Sequence, residues 1–347
     1  MGLTKAMLDR LDQLLEAYAS APEIYHAGRY WKNYEDKIYN EIKSADLGEL
    51  RSGQYPIFGT FGFSEAVYHY PPHIPFWKKT ILKGLRSLPS TDKIFMPYNL
   101  NLKDIREMAF RHCKLVGRIS NATPLENIET STYGSPNDLF AIDGKNYTLQ
   151  FLSYYLRYCF IQKERPFRGD EIIVELGSGS GFQIEVLKKM YPDLTILCFD
   201  LPSPLFLCEH YLEKVFPSQI ASATDHMDID SLQNLEKGKI HMFGNWQFPL
   251  LKDFSFDIFW NAASFGEMEP NIVSNYLSFI QSESIYLLQA RKGKESSSTA
   301  GVKNKILFED YNQMLNGYNL LAEADVYQAH RRLSQSGGYF QGLWKKN

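Results

Sequence analysis

The chain has no run of about 18 consecutive apolar residues, so no membrane-crossing helix is expected. Its opening stretch, MGLTKAMLDRLDQLLEAY, lacks the apolar segment of a secretory signal, and alanine at position 6 breaks the myristoylation pattern. Cysteine is scarce. Cys113, Cys159, Cys198 and Cys208 are scattered without a CxxC pair, which argues against a zinc site or disulfide framework and reads as reduced core thiols of a cytoplasmic protein. Basic charge is not in excess either. A net charge of −3 leaves no global footprint for nucleic acid, and no nucleic-acid partner is expected. No internal repeat is present.

What is there fills about two ordinary domains: 347 residues, 44% of them hydrophobic. The other elements are organised around Glu171 to Asp200, EIIVELGSGSGFQIEVLKKMYPDLTILCFD. Ile172, Ile173 and Val174 predict a strand buried on both faces of a parallel sheet. Gly177, Ser178, Gly179 and Gly181 then predict a turn whose backbone comes close to a ligand. Ile184, Leu187 and Tyr191 keep helical spacing, with Ser180 as the expected N-cap, so the turn presents free N–H groups. Leu194 to Phe199 predicts a second strand, and Asp200 ends it at the sheet edge where open α/β folds bind ligands. The glycine spacing is GxGxG, with Phe182 where a dinucleotide fingerprint has its third glycine. Glu175 puts a carboxylate beside the turn that would repel a diphosphate. A ligand with a positive centre and an amino group tolerates it.

Before this core the pattern predicts amphipathic helices over 3–19 and 29–43, an irregular Gly-, Pro- and aromatic-rich stretch over 51–75, and helices over 102–117 and 147–162. Turn signals stand at GSPND and DGKN in 126–146. After it come a helix over 204–216, strands at 239–243, 255–260 and 284–289, a helix over 271–281, a polar loop at 291–304, a helix near 306–315, and strands at 324–329 and 339–343. Alternating strands and helices imply an α/β fold with a parallel sheet. The reading divides the chain into a mainly helical N-terminal cap, 1–145, and an α/β domain, 146–347.

The acidic residue followed by GxGxG, with an acid closing the next strand, resembles the class I S-adenosylmethionine-dependent methyltransferases; Glu175, Gly177, Gly179, Gly181 and Asp200 match residue by residue. Further stretches, 129–140 (ETSTYGSPNDLF), 151–160 (FLSYYLRYCF), 261–268 (NAASFGEM) and 332–344 (RLSQSGGYFQGLW), are similar to the sugar O-methyltransferases associated with bacterial polysaccharide gene clusters, a likeness covering about 125–347. The resemblance implies a Rossmann-like class I methyltransferase sheet whose last strand is reversed, S-adenosylmethionine as cofactor, and a sugar hydroxyl on a nucleotide sugar or glycan precursor as acceptor. It also places the adenine near Asn245 and Trp246, after the third strand, and adds Ser178 and Asn261 to the cofactor residues. Asn261 is not followed by Pro-Pro, which departs from the amino-methylating pattern.

Attack by a hydroxyl needs positioning and a proton acceptor. Glu267, just past the fourth strand, is the first candidate base and His330, near the C-terminal strand pair, the second; His241 lies within a strand and can face either way. Glu267 and Glu269 offer two carboxylates with no third ligand nearby, so no metal is expected. The aromatics of the N-terminal region, Tyr68, Tyr70, Phe76 and Trp77 among them, suggest that it covers the pocket, with Glu129 and Tyr133 as the expected acceptor contacts. Three other readings stay open: a methyltransferase of RNA or another small molecule, a catalytically inactive cofactor-binding interaction protein, and a dinucleotide oxidoreductase. A basic pocket mouth, a missing base and acceptor pocket, or NAD binding would distinguish them. The sequence leaves the oligomeric state open, a homo-oligomer included.

Overall fold

The computed structural model of the protein describes residues 3–63, 68–70, 98–294, 302–329 and 335–347. In chain order the elements are α1 (Lys5–Ala19), α2 (Arg29–Ser44), β1 (Tyr68–Tyr70), α3 (Tyr98–Ile119), β2 (Phe140–Ile142), β3 (Lys145–Tyr147), α4 (Leu149–Glu164), β4 (Ile172–Leu176), α5 (Phe182–Met190), β5 (Thr195–Asp200), α6 (Pro202–Val215), β6 (Ile220–Ala221), β7 (Ile240–Gly244), β8 (Phe256–Ala262), α7 (Pro270–Leu277), β9 (Ser282–Ala290), α8 (Phe308–Met314), β10 (Tyr318–Ala329) and β11 (Gln335–Lys346).

The β-branched and aromatic runs at β4, β5, β7, β8 and β9 pair in parallel through the middle of a nine-stranded sheet, with β6 pairing in parallel on β7. Its order is β1-β10-β11-β9-β8-β4-β5-β7-β6. Strand β11 runs antiparallel to both its neighbours, the expected reversed strand, and β1 adds a second reversed strand from the N-terminal region. The order turns back between β4 and β8, so loops leaving their carboxyl ends diverge and open a crevice.

Local chemistry starts the helices. Thr4 caps α1 by accepting from the Met7 N–H at 3.3 Å, and Leu11, Leu14 and Tyr18 form its buried stripe. Thr148 caps α4 through Phe151 N–H at 3.1 Å, and α4 is buried nearly all round. The turn signal at Asp143 and Gly144, both at positive φ, becomes the tip of the β2–β3 hairpin.

The N-terminal region packs directly on the α/β elements. Arg10 of α1 pairs with Glu209 and Glu213 of α6 at 2.8 Å each, and Leu11, Ile38 and Phe61 share one apolar cluster with Ile173, Ile184 and Leu205. Among the described residues no helix is long and apolar enough to cross a membrane.

Candidate active site

A cavity of ≈ 610 Å³ opens at the carboxyl ends of β4, β5 and β8. The β4–α5 turn forms one wall. Gly177 and Gly179 both have positive φ, and a Cβ on Gly177 would come within 2.6 Å of the Ser264 side chain. Ser178 and Ser180 line the same wall. Gly181 does a different job from the one expected. It does not line the cavity; its added Cβ would meet Cys208 and Leu212 of α6 at 3.0 and 3.1 Å, so it lets α5 and α6 approach. It is also the residue at the N-cap of α5, at left-handed φ, in place of Ser180.

Asp200 closes β5 inside the cavity. Its carboxylate accepts from the Gly179 N–H and its neighbour Leu201 N–H, both at 2.8 Å, tying the turn to the strand end. Burial pushes its pKa up to about 6 against the pull of those two amides, with Glu267 adding a smaller push upward. Glu175 lies deeper, pushed up to about 8 by burial, with Arg157 pulling it down and Asp200 pushing it further up. Asn245 follows β7, as expected. Its Nδ2 donates to the Tyr25 carbonyl at 2.6 Å and to the Tyr276 hydroxyl at 2.9 Å, while its Oδ1 is buried in the cavity wall with no partner among the described residues.

Four expected contacts sit elsewhere. Trp246 does not line the cavity: its ring packs over the backbone of Gly244 and against Tyr18, 5.7 Å between centroids, closing the join to α1. Asn261 is fully buried and outside the cavity, its amide spent on Leu176 O (2.8 Å), Phe265 N–H (3.1 Å) and Gln289 (2.6 Å). It positions the loop that carries Glu267. Glu129 accepts from the Asn146 N–H of the hairpin, and Tyr133 meets His210 at 2.7 Å and packs on Tyr211, so neither reaches the cavity. Their segment is held away by Arg51, buried beneath it, which donates to Ser131 O at 2.7 Å.

Glu267 does line the cavity. One carboxylate oxygen accepts from the Trp31 indole N–H at 2.7 Å and the other pairs with Lys294. Burial raises its pKa, opposed by Lys294 and then Trp31. His330 lies outside the described residues, as do Phe76 and Trp77. His241 faces away, meeting Glu236 O at 2.8 Å and His226 at 3.3 Å.

The N-terminal region supplies the wall facing the turn, through residues that helical spacing alone did not single out. Trp31 stacks on Phe61 at 5.2 Å and 11°, and His26 lines the cavity with its Nε2–H donating to Tyr18 O at 3.1 Å. Arg157 of α4 and Gln183 of α5 complete the inner end. His26 stands in the short connection before α2 and Trp31 in the first turn of that helix, and nothing in the spacing of YHAGRYW singles them out.

The strand order with its reversed strand, and the glycine turn at the switch point, define a class I methyltransferase fold. No protein-family model matches the chain, and no curated protein does. Several solved structures align with it. One is a SAM-dependent methyltransferase from Aquifex aeolicus, with a TM-score of 0.37 and 14% identity over 55% of this chain and 88% of that one. Another is NcsB1, an O-methyltransferase from neocarzinostatin biosynthesis in complex with S-adenosyl-L-homocysteine and 1,4-dihydroxy-2-naphthoic acid. It has a TM-score of 0.38 and 13% identity over 57% and 56% of the two chains. A third is the pyocyanin biosynthetic protein PhzM, with a TM-score of 0.37 and 11% identity over 57% and 58%. The fold assignment rests on this chain's own strand order.

Proposed function

We propose that the protein is an S-adenosylmethionine-dependent O-methyltransferase acting on a sugar hydroxyl of a nucleotide sugar or glycan precursor. The observation that carries this is one continuous cavity. It joins a glycine turn, a strand-end carboxylate and an unpartnered buried amide oxygen to a buried carboxylate beside stacked aromatic rings.

The residues fit the cofactor. Gly177 and Gly179 keep the turn clear of side chains, Asp200 offers a charged acceptor for ribose hydroxyls, and Asn245 Oδ1 awaits the exocyclic amine of an adenine. When bound, S-adenosylmethionine supplies an electrophilic methyl on a sulfonium. The chain's own work is orientation and proton removal. Trp31 and Phe61 offer an apolar face suited to a sugar ring, Glu267 accepts the hydroxyl proton, and Lys294 and the indole N–H hold its carboxylate in place. Burial that raises the Glu267 pKa makes it a stronger base than an exposed carboxylate.

The test is transfer of labelled methyl from S-adenosylmethionine to a panel of nucleotide-linked sugars and glycans. Turnover on a sugar hydroxyl is expected. Transfer to RNA or to a non-sugar phenol with none to any sugar would overturn the acceptor, and NAD binding without S-adenosylmethionine binding would overturn the cofactor.

A further inference from the structure

Two buried histidines lie outside the cavity, and neither has a part in the function just described. His226 ends a 3₁₀ turn, Ala223–His226, and His241 is the second residue of β7; they are 5% and 2% exposed. Nδ1 of His226 lies 2.9 Å from the Met242 carbonyl oxygen, and Nε2 of His241 lies 2.8 Å from that of Glu236. A carbonyl only accepts, so each of these outer nitrogens carries a hydrogen and donates it. The inner nitrogens, Nε2 of His226 and Nδ1 of His241, face each other at 3.3 Å. Three contacts thus run from Met242 O to Glu236 O, and three hydrogens are needed to make all of them hydrogen bonds. Two neutral imidazoles supply two. With both outer positions filled, lone pair meets lone pair at the inner contact, and the chain is one proton short.

Burial pushes both imidazoles below the ordinary histidine value against the pull of the two carbonyls, so the missing proton arrives on acidification. Nearby charges modulate this. Asp225 adds a smaller upward pull on His226, while Lys239 pushes His241 down and Glu236 pulls it up, the two paired with each other at 2.7 Å. On α6, Glu209 is held by Arg10 of α1 and by the Ala223 N–H. Strand β6 brings no charged residue, and β5 brings Asp200, level with Gly244 and engaged with Gly179 and Leu201. The connection between the two histidines adds Asp228, Asp230 and Lys237, all exposed, and the turn after β7 carries Lys252 and Asp253 at its far end.

The chain reaches the cavity through one turn. The His226 carbonyl accepts from Gln247 Nε2 at 2.7 Å, and Gln247 Oε1 accepts from the Gly244 N–H at 3.0 Å. Asn245, between those two residues, presents to the cavity the Oδ1 that has no partner among the described residues. The His226 ring is also stacked on Phe243, 4.4 Å between centroids and 23° apart. We propose that His226 and His241 are a positioning pair that takes up one proton between them: the N–H···N bond it forms completes the chain and steadies the turn that aims Asn245 into the cavity. A second proton has no acceptor left inside the pair and would set two cations in contact, so the pair titrates as one unit. The role of Asn245 rests on the S-adenosylmethionine reading above; the proton count does not.

Imidazole nitrogen NMR of the full, ligand-free chain tests the proton count as pH is lowered. The nitrogens of His226 and His241 should shift together in one step that takes up one proton. Two separate steps taking up two, or no step before the chain unfolds in acid, would overturn the pair. The positioning role is tested by His241→Gln, whose amide offers two hydrogens, one for His226 Nε2 and one for Glu236 O, with no proton taken up. At pH 8 this variant should bind S-adenosylhomocysteine about 3- to 10-fold more tightly than wild type in calorimetry. The ratio should shrink toward one as pH falls, because the cavity carboxyls are common to both proteins. A ratio that does not change with pH overturns the positioning role. If the variant does not fold, hydrogen exchange of the Gly244 amide in wild type decides the same point: it should slow by about 3- to 10-fold as the pair titrates, beyond the intrinsic effect of pH, and no slowing overturns the role. Failure of both proteins to bind S-adenosylhomocysteine at any pH overturns the cofactor reading, and the proton count still stands or falls on the titration.

Discussion

The two ends of the cavity are built by different means. The end assigned to the cofactor is assembled from neighbours in sequence: β4, its turn, α5 and the end of β5 all fall within 172–200, and a single stretch of glycines, apolar runs and acids encodes them. The end assigned to the acceptor is assembled from distant pieces, with Trp31 against Glu267 across more than two hundred residues and Phe61 stacked on Trp31. The first can be altered by changing a backbone requirement. The second depends on side-chain contacts that tertiary folding brings together.

The sharpest way to separate them is Gly179→Val. Gly179 sits at positive φ, and its added Cβ would lie 3.2 Å from the Phe61 carbonyl, so the turn must distort. Cofactor affinity should fall by about 100-fold or more in calorimetry, with the circular dichroism of the fold retained. Glu267→Gln probes the other end. Turnover should fall by about 100-fold with cofactor affinity unchanged, and wild-type turnover on an authentic acceptor would remove Glu267 from the mechanism.

Asp200→Ala should weaken the cofactor by about 10- to 100-fold, because the ribose loses a charged acceptor and the turn loses the Gly179 tether. Trp31→Phe keeps the stacked ring but removes the N–H that holds Glu267. It should raise the acceptor KM by about 5-fold in steady-state kinetics while leaving cofactor binding alone, and an equal loss at both ends would erase the contrast between them.

The smallest effect is on pH. Folding raises the pKa of Asp200 from 3.8 to about 6 and of Glu175 from 4.5 to about 8, so the folded chain holds these protons more tightly than the unfolded one. Their contribution to stability is complete below about pH 4 and is lost as pH rises through 6 and then 8. Arg157 and Asp200 face Glu175, and Glu267 faces Asp200, so the three carboxyls share one field. The melting temperature of the ligand-free protein should fall between pH 5 and 8.5 from this source, and Glu175→Gln should flatten that slope in thermal scans.

The same contrast decides what could be read from the residues alone. The parallel strands were legible because β-branched runs buried on both faces have few alternative uses, and the turn because its glycines occupy positions that need positive φ. Strand β10 begins at Tyr318, earlier than the 324–329 pattern indicates, because its outer residues are polar or exposed and only pairing with β11 holds them extended. Trp246 and Asn261 lie at the expected strand ends, but strand position does not tell which way a side chain leaves the backbone. Glu129 and Tyr133 stand in a motif-like stretch, but Arg51 and His210 engage that segment away from the cavity, a tertiary contact that local sequence does not encode. Arg157 and His26 carry no spacing signal, since a single charged residue on a buried helix or in a short loop looks like any other.

The three residues of β1 also bear on how the chain reaches this shape. Tyr68 pairs with Ala329 and Tyr70 with Tyr327, so an early strand has no partner until almost the whole sheet exists. Contacts with that sequence separation close late, because the entropy of a very long loop must be overcome before they contribute. During synthesis the N-terminal region must therefore wait, with α1 and α2 lacking the α6 and sheet surfaces they pack against. The wall carrying Trp31 and Phe61 is assembled onto a glycine turn whose own strands need only local contacts. A refolding experiment that follows cofactor binding and Trp31 burial separately should find that the ability to bind the nucleotide returns before the acceptor wall closes.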